Sequence, residues 1–130
     1  LTELDAAVYV IDCLPNMNDD EVAEKTEPLV KQLRQARPDT PIVMVEDRSL
    51  SNSSLFKSRR DHQEKRRSAL VRAYDNLVSS GVKTPYYLEG EDLLGDDIEA
   101  TAGGSHPSDL GFLRQAKAFE PLLKQSTGLN

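Results

Sequence analysis

A histidine that follows two glycines, late in the chain, is the side chain best suited to acid–base chemistry. Gly103 and Gly104 permit a tight turn because they lack a side chain, and His106 comes shortly after them. We expect Pro107 to lie in the first turn of a helix, since its fixed φ suits that position. His106 would then project from a rigid stem, as a general base requires. The plainer alternative is a histidine that only caps the helix at the surface.

A second polar segment, residues 12–18, contains an asparagine and the only cysteine of the chain. It has no glycine and therefore cannot wrap a phosphate as a P-loop or a dinucleotide-binding turn does. The side-chain amide of Asn16 is a potential donor to a ligand, or it forms an Asx turn that leads into a helix. Cys13 could act as a nucleophile, but it has no evident activating neighbour, which favours a buried and unreactive thiol.

Charged residues are concentrated in two stretches of opposite sign. Residues 57–72 contain seven of the 16 Lys and Arg residues, and residues 89–99 contain six acidic residues. The basic stretch lacks interleaved aromatic residues, so we expect a solvated helix face, with an unreactive His62, rather than a phosphate or nucleic-acid site. The acidic stretch lacks the ligand spacing of a calcium loop, so we expect a solvated loop rather than a divalent-cation site.

The overall composition excludes several classes of protein. The 130 residues carry a formal net charge of −6, whereas a general nucleic-acid binder is usually basic. The single cysteine excludes an intramolecular disulfide framework. No apolar run approaches the ~18 residues of a membrane span, and no signal peptide is recognisable. We therefore expect about one domain of chain, with neither a nucleic-acid partner nor a membrane span.

Three short apolar runs are each followed by an amphipathic stretch. The runs at residues 7–11, 41–45 and 84–88 are rich in β-branched or aromatic residues, as expected of strands covered on both faces. The alternation of strand and helix predicts right-handed crossovers, a parallel sheet and helices on both of its faces. Three strands alone leave an edge uncovered, which indicates that further chain completes the sheet.

The predicted helices have recognisable ends. Asn18 is a good N-cap for the first helix. Pro28 lies inside this helix, so we expect either a kink at the proline or a helix whose regular part begins there. The second helix should run from about residue 59 to 80, with Gly81 as its C-cap. The third should begin near Pro107 or Ser108. Its predicted buried stripe consists of Phe112, Ala116, Phe119 and Leu123.

These elements place the two candidate residues at one edge of the sheet. In open parallel sheets, ligands bind where the carboxyl ends of the strands meet their loops. Residues 12–18, 47–57 and 90–106 follow the three strands and share that edge. Asn16 and His106 belong to the first and the third of these segments.

Taken together, the segments resemble the SGNH, or GDSL-like, hydrolases. Residues 8–17 resemble the strand and loop that carry the family's oxyanion asparagine. Residues 104–111 resemble its histidine block, in which His-Pro-x-Asp-x-Gly recurs, and residues 41–48 fit the strand between them. The resemblance covers essentially the whole chain. It implies a three-layer α/β/α, flavodoxin-like fold with a parallel sheet, of which this chain supplies three βα units.

The resemblance also implies hydrolysis of carboxylic (acyl or acetyl) esters, with small-molecule or carbohydrate esters as substrates. In the family, a serine attacks the ester carbonyl and a histidine removes its proton. By this match His106 would be the general base and Asn16 would donate to the oxyanion. A serine hydrolase of this kind requires no metal or organic cofactor, and none is expected. Cytoplasmic and secreted locations in a bacterium both fit the sequence.

The first departure from the family pattern is that no segment of this sequence matches the block that carries the nucleophilic serine. The family's serine block and its oxyanion glycine lie upstream of the segments found here. None of the serines at positions 49, 51, 53 and 54 has the required strand–turn–helix context. Residues 1–130 are therefore expected to be the C-terminal portion of a single hydrolase domain, catalytically incomplete by themselves, with the remainder of that domain as their partner.

The second departure is Gly103, which stands where the family usually has an aspartate. An aspartate there orients the imidazole, and its loss can lower kcat by about 10⁴. Asp97, Glu99 or Asp109 could compensate in part. The alternative is a non-catalytic α/β remnant or interaction module that has lost the triad.

A response-receiver or flavodoxin-like domain is a third interpretation. Asp12, Asp47 and Lys83 resemble its acidic cluster and lysine loosely. However, Lys83 precedes its strand instead of following one.

Overall fold

The structure, a computed structural model, describes residues 1–48, 56–83 and 85–129. Three parallel strands form one sheet in the order β1–β2–β3, and two short antiparallel strands, β4 and β5, form a hairpin. The strands are β1 (Tyr9–Ile11), β2 (Ile42–Val45), β3 (Tyr86–Leu88), β4 (Thr101–Ala102) and β5 (His106–Pro107). The helices are α1 (Asp19–Ala36), α2 (Lys57–Ser79) and α3 (Asp109–Thr127).

The central strand β2 divides the apolar core into two halves. Ile42 and Met44 pack into a cluster with residues of α1 and α2, whereas Val43 and Val45 pack against residues of α3. All four are almost completely buried, as expected of a strand with helices on both faces. The predicted three-layer α/β/α arrangement with a parallel sheet is therefore confirmed.

The N-terminus of α1 has the cap that the sequence predicts. The Asn18 side chain accepts a hydrogen bond from the Glu21 N–H, and the Glu21 carboxylate accepts one from the Asn18 N–H. Such a reciprocal capping box satisfies two backbone donors that the helix itself leaves unpaired. The helix extends on both sides of Pro28, so the regular part does not begin at the proline.

The C-terminus of α2 also agrees with its sequence. Gly81 has a φ of +76°, and its N–H donates to the Val78 carbonyl at 3.0 Å. The Val82 N–H donates to the Leu77 carbonyl at 3.1 Å. A residue with a side chain would be strained at this φ, which explains the glycine at the end of the helix.

The third helix differs from its prediction at the N-terminal end. Ser108 is the N-cap and Pro107 belongs to β5, so the expectation that Pro107 lies in the first helical turn is wrong. The predicted stripe is wrong for Phe112, which is 61% exposed, and for Ala116, which is also exposed. The first half of α3 instead contacts the preceding loop through the buried Gly111. The sheet is covered by Ala118, Phe119, Leu122 and Leu123.

In the described ranges, β1 pairs with β2 alone, and Val10 on β1 is 42% exposed. The other side of β1 is therefore an open edge in these ranges. No helix in the described part of the chain is long and apolar enough to cross a membrane.

Candidate active site

Asn16 and His106 line one cavity of about 480 Å³ at the carboxyl edge of the sheet. Residues from three loops form its wall: the segment after β1, the residue three positions beyond β2, and the β4–β5 hairpin. The lining residues are Asp12, Pro15, Asn16, Arg48, Ser105 and His106. Apart from Pro15, the lining is polar. The fold thus brings together the two residues that the sequence singles out, although they lie near opposite ends of the chain.

A compact turn holds Asn16. Residues Leu14–Asn16 form one turn of 3-10 helix, and the Leu14 side chain, 1% exposed, anchors this turn in the core. The Asn16 side chain is exposed and makes no hydrogen bond to the described residues. The helix cap is provided by Asn18 instead. The Asx-turn alternative therefore has no support, and the Asn16 amide is free to donate to a ligand.

The hairpin of residues 101–107, here called the histidine hairpin, carries His106. Gly103 and Gly104 form its turn with φ values of +63° and +79°, which residues with side chains rarely adopt. Across the two strands, Ala102 pairs with His106. A Cβ atom on Gly103 would meet no other atom within 4 Å, so the turn restricts this position through its backbone conformation and not through crowding.

None of the three carboxylates proposed to compensate for Gly103 forms a hydrogen bond with His106 in the described part of the chain. Asp97 is bound by two nitrogens of Arg114 at 2.6 Å each, which lowers the pKa of Asp97 to about 2. Glu99 and Asp109 are exposed. Within the described ranges, no carboxylate forms a hydrogen bond with His106.

Asp12 is the carboxylate that shares the cavity with His106, and the sequence pattern does not indicate that the two residues lie together. Burial raises the pKa of Asp12, the nearby Arg48 guanidinium lowers it, and Asp47 raises it. A carboxylate in this position can stabilise a positive charge that develops on the imidazole. Its place directly after a buried strand was the available sequence signal.

The end of β2 is fixed by basic residues of α2. Asp47, 1% exposed, forms an ion pair with Arg66, and its backbone carbonyl accepts hydrogen bonds from two nitrogens of Arg67 at 2.9 and 2.7 Å. Burial raises the pKa of Asp47, although the neighbouring guanidinium groups lower it. The prediction of a fully solvated basic face is therefore wrong for Arg66 and Arg67, which bind the strand end.

Glu46, also buried, accepts hydrogen bonds from the Tyr87 hydroxyl at 2.7 Å and from the Gly90 N–H at 2.8 Å. These two contacts join the end of β2 to the end of β3. The carboxyl edge is consequently held by buried polar groups as well as by the apolar core.

His62 is exposed and lines a neighbouring cavity of about 410 Å³. This cavity shares Pro15 and Ser105 with the first one, so the second histidine lies near the candidate site without lining it. Cys13 is half-buried, and burial together with Asp12 raises the pKa of its thiol, as expected of an unreactive cysteine.

The remaining predictions concern metal ions, serines and the receiver interpretation. The described ranges contain no group of three or more side chains that could hold a metal ion. The serines at positions 49, 51, 53 and 54 lie outside the described residues. Lys83 forms an ion pair with Asp39 at 2.8 Å, at the amino edge of the sheet, so the lysine that a receiver site requires is at the wrong edge.

Comparison with known proteins identifies the family and supports the fold. The sequence model of the GDSL-like lipase/acylhydrolase family matches residues 1–124. A structure classed as a GDSL-like lipase from Bacteroides ovatus ATCC 8483 superposes with a TM-score of 0.93 at 29% identity, and covers 99% of this chain and 38% of that chain. No curated protein sequence matches the chain.

Two further structures, both at 16% identity, support the fold alone. The salicylyl-acyltransferase SsfX3 from a tetracycline biosynthetic pathway has a TM-score of 0.72 and covers 98% of this chain and 38% of that chain. A structure classed as a GDSL-like lipase from Parabacteroides merdae ATCC 43184 has a TM-score of 0.66, covering 99% and 63%. This chain thus spans 38% of the length of the first two structures. From the family model and the fold together, the chain belongs to the GDSL-like lipase/acylhydrolase family.

Proposed function

We propose that this chain supplies the general base and an oxyanion donor of a serine hydrolase that acts on carboxylic esters. The observation that carries the proposal is the shared cavity of Asn16 and His106. Its polar lining fits a small-molecule or carbohydrate ester better than a long acyl chain, which requires apolar walls.

In the proposed mechanism His106 removes the proton of a serine hydroxyl as that oxygen attacks the ester carbonyl. The proton then passes from the imidazolium to the leaving alcohol, and a water molecule, activated in the same way, releases the acid. The Asn16 amide N–H donates to the carbonyl oxygen as negative charge develops on it. The Asp12 carboxylate, in the same cavity, stabilises the imidazolium.

We further propose that the nucleophilic serine belongs to another part of the same domain, outside this chain. Two observations support this arrangement: the open edge at β1, and the 38% of the Bacteroides structure that the chain spans. The missing part would then place its serine beside the cavity. By this proposal, the chain is the C-terminal portion of one domain.

A non-catalytic α/β module is the second candidate, and Gly103 is the observation that favours it. The glycine removes the carboxylate that usually orients the histidine. A non-catalytic module would hydrolyse no ester, and its residual rate would not depend on His106.

The test is hydrolysis of nitrophenyl acetate by the full-length protein and by its variants. His106→Ala should lower kcat by about 10²–10⁴, because it removes the general base. Asn16→Ala should lower kcat by about 10²–10³, because it removes one oxyanion donor. His62→Ala is the matched control and should retain the wild-type rate. Equal rates for wild type and His106→Ala would refute the assignment of the base.

A further inference from the structure

Arg48 is the one described side chain that binds the histidine hairpin from the end of β2. Its Nε and Nη2 atoms both donate to the backbone carbonyl of Ser105, each at 3.2 Å. Ser105 directly precedes His106 in the chain. A guanidinium that places two donors on one acceptor fixes the direction as well as the distance of the contact.

The backbone from which Arg48 projects is itself held. Its own carbonyl accepts a hydrogen bond from the buried Gln63 side chain at 2.6 Å. The carbonyl of the preceding residue, Asp47, is bound by Arg67. Two consecutive carbonyls are therefore fixed to α2, and the Arg48 side chain starts from a rigid position.

The histidine hairpin is short, and Arg48 adds a contact to it from another part of the fold. Each of its strands is two residues long, and its turn contains two glycines with positive φ. At its far end, the Ser108 N–H donates to the Ala100 carbonyl at 2.9 Å. Arg48 holds the opposite end, next to the imidazole.

We propose that Arg48 is a positioning residue: its contact with the Ser105 carbonyl sets the place of the His106 imidazole relative to the Asn16 amide. This inference rests on the proposed ester hydrolysis. A displacement of about 1 Å at a reacting group can lower a rate by about 10². The Arg48 guanidinium also lies near Asp12 and Asp47 and lowers the pKa of both carboxyls, so the test has to separate its position from its charge.

Two variants of the full-length protein separate geometry from charge. Arg48→Lys keeps the positive charge but loses the two-donor contact, and Arg48→Gln loses both. If Arg48 acts by position, both variants lower kcat for nitrophenyl acetate by about 10- to 100-fold, with KM little changed and the midpoint of the pH–rate profile unmoved.

Arg34→Lys is the matched control, because Arg34 also binds loop carbonyls, those of Pro38 at 2.8 Å and Thr40 at 2.9 Å, at the opposite edge of the sheet. It should leave kcat unchanged. A melting temperature that falls in Arg48→Lys much further than in Arg34→Lys would assign Arg48 to the stability of the fold and overturn the proposal.

The remaining outcomes distinguish this inference from the function on which it rests. Wild-type kcat in Arg48→Lys, together with an inactive His106→Ala, would overturn the positioning role and leave the function standing. A pH midpoint that moves in Arg48→Gln and is restored in Arg48→Lys would show that the residue acts through its charge. Wild-type activity in His106→Ala would refute the proposed function itself, whatever the Arg48 variants do.

Discussion

The two edges of the parallel sheet are both held by charged side chains, but in different surroundings. At the amino edge the ion pair between Lys83 and Asp39 is largely exposed to solvent. At the carboxyl edge the pair between Asp47 and Arg66 is almost completely buried, with side-chain exposures of 1% and 17%. Exposed pairs contribute little to stability, whereas burying two charges carries a large desolvation penalty.

The desolvation penalty of a buried ion pair therefore falls at the carboxyl edge of the sheet. At the carboxyl edge, Asp47 pairs with Arg66 and its carbonyl accepts hydrogen bonds from Arg67. The next residue, Arg48, lines the cavity that contains Asn16 and His106. The buried contacts fix the directions in which side chains leave the sheet at that edge. At the amino edge, where no candidate residue lies, the Lys83–Asp39 pair is exposed on both sides.

The largest expected effect on stability comes from breaking the buried pair. Asp47→Ala should lower the free energy of unfolding by about 3–5 kcal/mol, because it leaves the Arg66 charge poorly solvated and without its partner. The measurement is urea denaturation of the full-length protein. Asp39→Ala, at the other edge, is the matched control and should change the unfolding curve little. Equal losses in the two variants would contradict the difference between the edges.

A smaller effect is expected where α3 meets the loop that leads to the histidine hairpin. A Cβ atom on Gly111 would lie 2.2 Å from the Ala100 carbonyl oxygen, so either the helix or the loop has to move. Gly111→Ala should therefore cost about 1–3 kcal/mol and also lower kcat, because Ala100 anchors the hairpin through Ser108.

The control for this variant is Gly128→Ala, at the other end of the same helix. Gly128 has a φ of +71° and open space around its Cα, so its replacement introduces backbone strain of about 1 kcal/mol without a clash. It should leave kcat unchanged. A wild-type kcat in Gly111→Ala would show that the contact between α3 and the loop does not position the histidine.

Much of the fold follows from local sequence rules. The Asn18 cap of α1 and the glycine after α2 are decided within a few residues, so pattern alone predicts them. The parallel sheet follows from the order of strands and helices. The stripe of α3 could not be predicted in the same way, because its first half packs on a loop through Gly111 and leaves Phe112 exposed.

The candidate site could be predicted only where its residues stand in a recognisable local segment. His106 and Asn16 stand in segments with recognisable composition, whereas Arg48 has no local feature that distinguishes it from other arginines. Arg66 and Arg67 did have a signal: with Gln63 they continue, at helical spacing, the buried stripe of α2 that includes Leu70 and Leu77. A basic residue on an apolar stripe indicates a buried acidic or carbonyl partner, here Asp47.

Asn16 and His106 are proposed to act at one reaction centre, Asn16 on the oxyanion and His106 on the serine hydroxyl. The most direct test is a crystal structure of the full-length protein after reaction with a phosphonate ester, which forms a tetrahedral adduct on a nucleophilic serine. We expect the Asn16 amide nitrogen within about 3.2 Å of the adduct's phosphonyl oxygen and a His106 ring nitrogen within the same distance of the serine Oγ. An adduct on a serine remote from this cavity, with neither side chain in hydrogen-bond reach, would contradict the account.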